Sequence, residues 1–331
     1  MSSIDLPTVS VIVPSFQRGQ YLPHLFASIT GQVYPAERME MIVIDNSSSD
    51  NTEAVVAAWT EVMPFPVRFK RKKNNGPAAS RNLGARLARG EVLAYTDSDC
   101  IPDPKWLANA VHRLQHGADL VAGPIIGLRR LSDGLAQQKQ TLGDNGTYPT
   151  GNVIVWRRWF DAVGGFDEQF GIYPWGGLVA GEDTDFAWRA QHAGAKVQWA
   201  TEVRVGHQIA PEPTPLQRFL RPVVLQIFPR LIRTIPELRE RRLWHRYFID
   251  KEHFKVDLAL SGLILSRLTR RRAFLGLVLP WVIVIAKPLR TTWRIGGFSV
   301  SAKYVASKVH GGLGDAVVLS YASVRYRRVV L

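Results

Sequence analysis

In the stretch Ala94-Tyr-Thr-Asp-Ser-Asp-Cys-Ile-Pro-Asp103 an apolar run ends on two carboxylates, Asp97 and Asp99, separated by one serine. Strand side chains alternate between faces, so both acids could point the same way where the strand gives out. Two like charges that close need a partner, and a divalent cation, which prefers oxygen ligands, is one that fits. The same acids could instead cap a helix or stand solvated in a turn. A second acidic pair, Glu182 and Asp183, opens a helical pattern that stops at Gly194. Negative charge at that position is stabilised by the helix dipole, whatever else it does. Arg81 lies one turn beyond Pro77, near the amino end of another helical pattern, where an anion would be attracted.

The elements that must hold these residues are legible as alternation. Strand patterns over Thr8–Pro14, Met41–Asp45, Val67–Lys70 and Glu91–Thr96 enclose helical ones from about Tyr21, over Asn51–Trp59 and over Pro77–Arg89. Repeated β-α-β order predicts an α/β fold with a Rossmann-like, mostly parallel sheet and helices on both faces. Ligands of such sheets bind outside the carboxyl ends of the strands. The polar segments Pro14–Gly19, Asp45–Asp50, Asn74–Pro77 and Asp97–Asp99 follow the four strands, so they should converge on one edge. The middle, about 101 to 212, is less regular and rich in Gly and Trp, with strands over Lys196–Trp199 and Val203–His207. Pro211-Glu-Pro-Thr-Pro215 marks a boundary.

The chain has 331 residues, 46% of them hydrophobic, enough for one large domain or two ordinary ones with a proper core. Its single cysteine, Cys100, excludes an internal disulfide and a cysteine cluster for zinc, and points to a reducing compartment. Met1-Ser-Ser-Ile-Asp5 lacks the basic and then apolar pattern of a secretory leader and reads as a cytosolic start. The net charge of +14 is unevenly distributed: residues 1 to 212 carry 20 Lys+Arg and 22 Asp+Glu, residues 213 to 331 carry 22 and 6. That asymmetry turns the C-terminal part toward a polyanion, either nucleic acid or an anionic membrane leaflet. The cations there are interleaved with aliphatic runs, not with a recognition module, so the expected partner is an anionic membrane surface and no nucleic acid. One run, Ala273–Ala286, is bracketed by Arg270–Arg272 and by Lys287 with Arg290, and has fourteen residues. A helix of that length spans roughly 21 Å against a hydrocarbon core of about 30 Å. Pro280 and the basic flanks fit an interfacial or re-entrant segment better than a crossing one.

Seven motifs stand in order over about residues 8 to 210: Val-Pro-Ser-Phe-Gln-Arg, Ile-Asp-Asn-Ser-Ser, Asn-Gly-Pro-Ala-Ala-Ser-Arg-Asn, Asp-Ser-Asp, Gly-Gly-Phe-Asp-Glu, Gly-Glu-Asp-Thr-Asp-Phe-Ala-Trp-Arg and Gly-His. This order resembles the family-2 glycosyltransferases of the GT-A fold. The resemblance implies that Asp97 and Asp99 are the DxD pair, which engages the donor's ribose and holds Mn²⁺ or Mg²⁺ on its diphosphate. Breaking a sugar-phosphate bond builds charge on the leaving diphosphate, and a divalent ion neutralises it without a proton. His207 matches a position that supplies an extra metal or diphosphate ligand in many members; a lone histidine is otherwise a satisfied core or surface residue. Asp45 matches the nucleobase-binding acid, with Pro14 and Ser15 lining the pocket, although an Asp there also suits a turn or helix cap. Asn75 and Arg81 complete the implied donor-binding set, a solvated helical arginine being the plainer alternative for Arg81. Asp183 matches the catalytic acid-base position, with Glu182 beside it. Trp175, Gly176 and Gly177 resemble the acceptor-side loop, with a looser spacing because Leu178–Gly181 separates them from Glu182.

Taken whole, the resemblance implies a metal-dependent, inverting transfer from a nucleotide-diphosphate sugar, UDP-linked by preference. The acceptor would be lipid-linked or a polysaccharide in cell-envelope or surface glycan synthesis, at the cytoplasmic side of a membrane. Residues 1–100 would form the nucleotide-sugar half, 101–212 the acceptor half, and 213–331 a basic, apolar helical region that associates with the membrane. A nucleotidyltransferase also builds an acidic metal site on an α/β sheet, but it calls for a Gly-rich basic loop after the first strand, of which Ser15–Gly19 is a poor version. The other alternative is a non-catalytic nucleic-acid or membrane binder that uses the basic third.

Overall fold

A computed structural model describes residues 6–74, 76–131, 134–141, 143–170, 181–208 and 221–331. The chain divides into two compact units, Met1–Pro211 and Glu212–Leu331.

In the first unit the predicted strands become β1 (Val9–Ser15), β2 (Met39–Asp45), β3 (Val67–Arg71) and β4 (Val92–Tyr95), all parallel, in the order β4-β1-β2-β3, with β3 a partly exposed edge and the other three buried. Such strands are apolar on both faces because helices cover both. Helices α1 (Leu22–Thr30) and α2 (Thr52–Thr60) bury Leu22, Leu25, Phe26 and Val56 against Val9, Val11 and Val13. The alternate residue Ile12 points the other way, toward α3 (Gly76–Leu87). Gly84 lets α3 come that close, since a Cβ there would lie 2.5 Å from Ile12 Cγ2.

The region after residue 100 is more regular than its composition predicts. It contains β5 (Cys100–Pro102), α4 (Trp106–Gln115), β6 (Leu120–Ala122), β7 (Ile125–Leu131), β8 (Gly134–Thr141), β9 (Val153–Trp156), α5 (Arg157–Ala162), α6 (Glu182–His192), β10 (Val197–Trp199) and β11 (Val205–Gln208). Strand β9 pairs antiparallel with β4 and with β6, and β10 pairs parallel with β6, giving the seven-stranded order β10-β6-β9-β4-β1-β2-β3. A second sheet runs β5-β11-β7-β8. Several of these strands have only three or four residues, too few for a period-two pattern to declare itself. Tyr95 of β4, Phe166 and Phe186 of α6 pack under the sheet, with ring centroids 5.1 Å apart for Tyr95–Phe166 and 4.4 Å for Phe166–Phe186.

The second unit is helical: α7 (Ile227–Thr234), α8 (Leu238–Arg241), α9 (Lys251–Thr269), a 3-10 segment Arg272–Val278, α10 (Leu279–Ala286) and α11 (Leu289–Tyr326). Asp250 caps α9 by accepting from the Glu252 and His253 amides. The apolar stretch is longer than the fourteen residues counted above. Arg272–Arg294, 23 residues of mean hydropathy 1.7 in its apolar window, is long and apolar enough to cross a membrane, and no residue of that window is fully buried. The difference arises because helical backbone continues beyond Lys287 through Trp293.

Candidate active site

The parallel strands bring their carboxyl ends to one edge, and the polar residues that follow them meet there. Ser15 and Asp45 are neighbours in the β1–β2 register, each the last residue of its strand. The Ser15 hydroxyl is buried without a hydrogen-bond partner. Asp45 is fully buried. It closes the turn after β2 by accepting from the Ser48 amide at 3.2 Å, and it accepts from Arg71 Nε at 2.7 Å. Arg71 is held further by the Ser48 carbonyl at 3.2 Å and by Glu53 at 3.0 Å. The turn reading and the pocket reading of Asp45 are therefore compatible. Asn75, Trp175, Gly176 and Gly177 lie outside the described residues.

Asp97 and Asp99 stand in a turn and not on a strand, because β4 ends at Tyr95 and the Cys100 amide closes back on the Asp97 carbonyl at 3.0 Å. They consequently face different partners. Asp97 Oδ1 accepts from Arg81 Nη2 at 2.8 Å, while its Oδ2 lies over Gly151, where a Cβ would approach it to 3.3 Å. Asp99 lies 3.3 Å from His207 Nε2 and 3.5 Å from Arg18 Nε. Pairing of β11 with β5 sets that contact: His207 stands opposite Cys100, and the Gln208 amide bonds the Asp99 carbonyl at 2.9 Å. Burial works to raise the Asp99 pKa, but the His207 hydrogen bond and the charges of His207 and Arg18 outweigh it and hold the carboxyl below its ordinary value. The same Asp99 bond raises the His207 pKa against burial.

Arg81, expected beside a nucleotide, spends its guanidinium on two acids. Nη2 holds Asp97, and Nη1 donates to Glu182 Oε1 at 2.8 Å, with both Arg81 and Glu182 buried. Burial opposes the Arg81 charge, yet Asp97 and Glu182 outweigh it and hold the guanidinium protonated more firmly than usual. Glu182 and half-buried Asp183 start α6, after Gly181 turns the chain at φ 94°. Burial, with the Glu182 carboxylate beside it, pushes Asp183 up to about 7, while the Thr184 amide and Arg81 pull the other way.

Several supporting residues escaped the sequence reading. Asn82 donates to the Phe166 carbonyl and accepts from its amide, both at 2.9 Å, and also donates to Glu168 at 2.9 Å. Arg189 bonds the Val163 and Gly165 carbonyls and Asp185, each at 2.7 Å. Together they clamp the Gly-Gly-Phe-Asp-Glu turn between α3 and α6, and so set Arg81 against Glu182. Buried Asn152 accepts from Trp106 Nε1 at 2.8 Å and donates to the Val203 carbonyl at 2.7 Å, fixing the neighbouring Gly151 under Asp97. A buried asparagine beside a glycine before an apolar run, Gly151-Asn-Val-Ile-Val155, was the available signal.

Comparison with known proteins agrees with this architecture. The model of glycosyl transferase family 2 matches residues 10–166, and that of the N-terminal domain of galactosyltransferase matches residues 135–209. The glycosyltransferase AglE of Haloferax volcanii is 27% identical over 216 residues, covering 62% of this chain and 68% of AglE. The hyaluronan synthase of Pasteurella multocida is 26% identical over 253 residues, 61% of this chain but only 25% of the synthase. Among solved structures, the mannosyltransferase PcManGT from Pyrobaculum calidifontis, in complex with GDP-Man and Mn²⁺, superposes with a TM-score of 0.60 at 18% identity over 96% of this chain and 88% of that one. Residues 1–349 of S. aureus TarS in complex with UDP-GlcNAc superpose at 0.55 and 17%, over 97% and 92%. With its acids gathered at the carboxyl ends of a GT-A sheet, the first unit carries the match to glycosyl transferase family 2 over residues 10–166, and the chain is a glycosyltransferase.

Proposed function

We propose that the protein is a metal-dependent, inverting transferase that moves a sugar from a nucleotide-diphosphate donor, UDP-linked by preference, to a hydroxyl of a lipid-linked or polysaccharide acceptor. It would work on the envelope or surface glycans of the cell, at the cytoplasmic side of a membrane. The observation that carries this reading is the Arg81 bridge. One buried guanidinium ties Asp97, on the donor side, to Glu182, which opens the helix bearing Asp183.

Buried Asp45 would accept an imide N–H of the base, the guanidinium of Arg71 beside it would face a base carbonyl, and the unpaired Ser15 hydroxyl would line the same pocket. Asp99 and His207 offer an oxygen and an imidazole donor to a divalent ion such as Mn²⁺. Among the described residues no three acidic, imidazole or thiol groups converge to cage a metal alone. The donor set therefore fits an ion that completes its shell from diphosphate oxygens and water. When bound, such an ion neutralises the charge that develops on the diphosphate. Asp183 would take the proton of the acceptor hydroxyl while the oxygen attacks the anomeric carbon. The bond from that carbon to the diphosphate oxygen breaks on the opposite face, its electron pair leaves with the diphosphate, and configuration inverts.

Thermal unfolding of the full chain with UDP, GDP, dTDP and ADP, each with and without Mn²⁺, tests the donor site, since a ligand that binds only the native state raises the midpoint. The expected outcome is a metal-requiring shift with UDP that disappears in Asp99→Asn. A shift with another nucleotide would reassign the base, and no shift with any of them would remove the donor reading.

A further inference from the structure

In the second unit, α9 and the segment after it fold back on each other. Arg270, at φ 56°, ends α9 in the left-handed conformation, and the chain reverses through Arg271 and Arg272. Gly262 makes the return close: a Cβ there would meet the Phe274 carbonyl oxygen at 2.7 Å and Leu277 Cβ at 2.8 Å. Farther from the turn, a Cβ on Gly312 of α11 would meet Val256 of α9 at 2.9 Å and Trp281 of α10 at 3.8 Å. One side of the apolar segment is thus packed on helices α9 and α11. The remaining surface shows Leu279, Val282 and Ile283, one stripe at helical spacing, at 58, 47 and 45% exposure.

Exposed cations stand at both ends of that segment, Arg270–Arg272 at the turn and Lys287, Arg290 and Arg294 beyond. The helices packed on it carry charges at its level. Asp257 follows Val256 on α9, and three residues beyond Gly312 on α11 is Asp315, which pairs with His253 at 3.2 Å. If residues 272–294 crossed a bilayer, these helices would be drawn to hydrocarbon depth with their charges, where ionised groups are strongly disfavoured. An in-plane position removes that cost, keeps the charged helices in water and places both basic flanks beside lipid phosphates. Trp293, 59% exposed, stands at the end of the stretch, where an amphipathic ring suits the headgroup boundary.

We propose that residues 272–294 do not cross the membrane but lie along the headgroup boundary of an anionic bilayer, the Leu279–Val282–Ile283 stripe in the acyl region and both basic flanks on one side. This rests on the membrane part of the reading above and is independent of the donor site. Two reporters that each add one cysteine, Thr269→Cys before the stretch and Thr291→Cys near its far end, bracket the Leu279–Val282–Ile283 stripe, and native Cys100 is fully buried, so its background is low. Membranes from expressing cells are prepared as right-side-out and inside-out vesicles and treated with an impermeant maleimide. Labelling of both reporters in the same vesicle orientation is expected; labelling in opposite orientations would overturn the in-plane placement while leaving membrane association intact. In parallel, the full chain is sedimented with phosphatidylcholine vesicles containing or lacking phosphatidylglycerol. The parent should bind the anionic vesicles, and the double variant Leu279→Glu, Ile283→Glu should bind them about tenfold less with unchanged far-UV circular dichroism. Parental binding by a folded double variant would reject this face. Failure of the parent to bind either vesicle would reject membrane association itself, and a double variant that misfolds leaves the labelling result to decide.

Discussion

Asp183 carries the sharpest prediction at the scale of single residues. A base must be deprotonated to act, and this carboxyl is pushed up to about 7, so kcat/KM for a hydroxyl acceptor should fall as pH drops through about 7. In Asp183→Asn the rate should fall by about 10²- to 10⁴-fold and lose that limb of the profile. An unchanged profile in initial-rate assays would remove the base assignment. Arg81 is a structural counterpart. Truncating it leaves buried Glu182 without its cation, and breaking a buried pair costs about 3 to 5 kcal/mol, so Arg81→Ala should show a correspondingly lower denaturant midpoint. Arg81→Lys should recover only part of it, because a point charge cannot fork to both Asp97 and Glu182. The acids themselves were legible in the sequence because carboxylates cluster at strand and helix ends for reasons local to the chain. Their partners were not: Arg81 and Glu182 are 101 residues apart, and nothing local pairs them.

At the scale of elements, the seat of α3 on β1 decides where Arg81 lies. Alanine is favoured over glycine in a helix by about 1 kcal/mol, yet Gly84→Ala would drive a methyl group to 2.5 Å from Ile12 Cγ2. The expected outcome is a net loss of roughly 1 to 2 kcal/mol in chemical denaturation; a gain would show that α3 shifts freely on the sheet. In the second unit, His253 bridges Asp250 at 2.9 Å and Asp315 at 3.2 Å, tying α9 to α11. Burial disfavours its charge, but the two aspartates beside it raise its pKa from 6.5 to about 9. A group raised on folding stabilises fully below its unfolded pKa and loses that contribution as pH rises through the folded one. Parent protein should therefore exceed His253→Gln by about 1 kcal/mol at pH near 6, with the difference gone above the folded pKa, as read from denaturation midpoints across pH. The first four strands and three helices were predictable because strand-like runs alternate with helical patterns and each pair is separated by polar turn residues. Strands β6 and β9 were not, since three or four apolar residues become a strand only when a neighbouring strand pairs with them.

For the molecule as a whole, the basic excess of residues 213 to 331 predicts that binding to phosphatidylglycerol vesicles weakens with salt but survives in part, because apolar burial is not screened. Complete release at moderate salt in a sedimentation assay would mean that the contact is electrostatic alone. Read by itself, the sequence determined the fold class, the parallel edge at which Ser15, Asp45, Asp97 and Asp99 gather, and the division between a near-neutral first part and a basic last third. All of these follow from local periodicity, turn chemistry and composition, which are properties of neighbouring residues. Tertiary structure alone decided that Asp97 and Asp99 serve different partners, that Arg81 faces two acids, that Asn82, Asn152 and Arg189 brace the site, and that Phe274 and Leu277 return against Gly262. Those contacts depend on which distant backbones approach within a few ångströms, and the order of residues along the chain does not encode that distance locally.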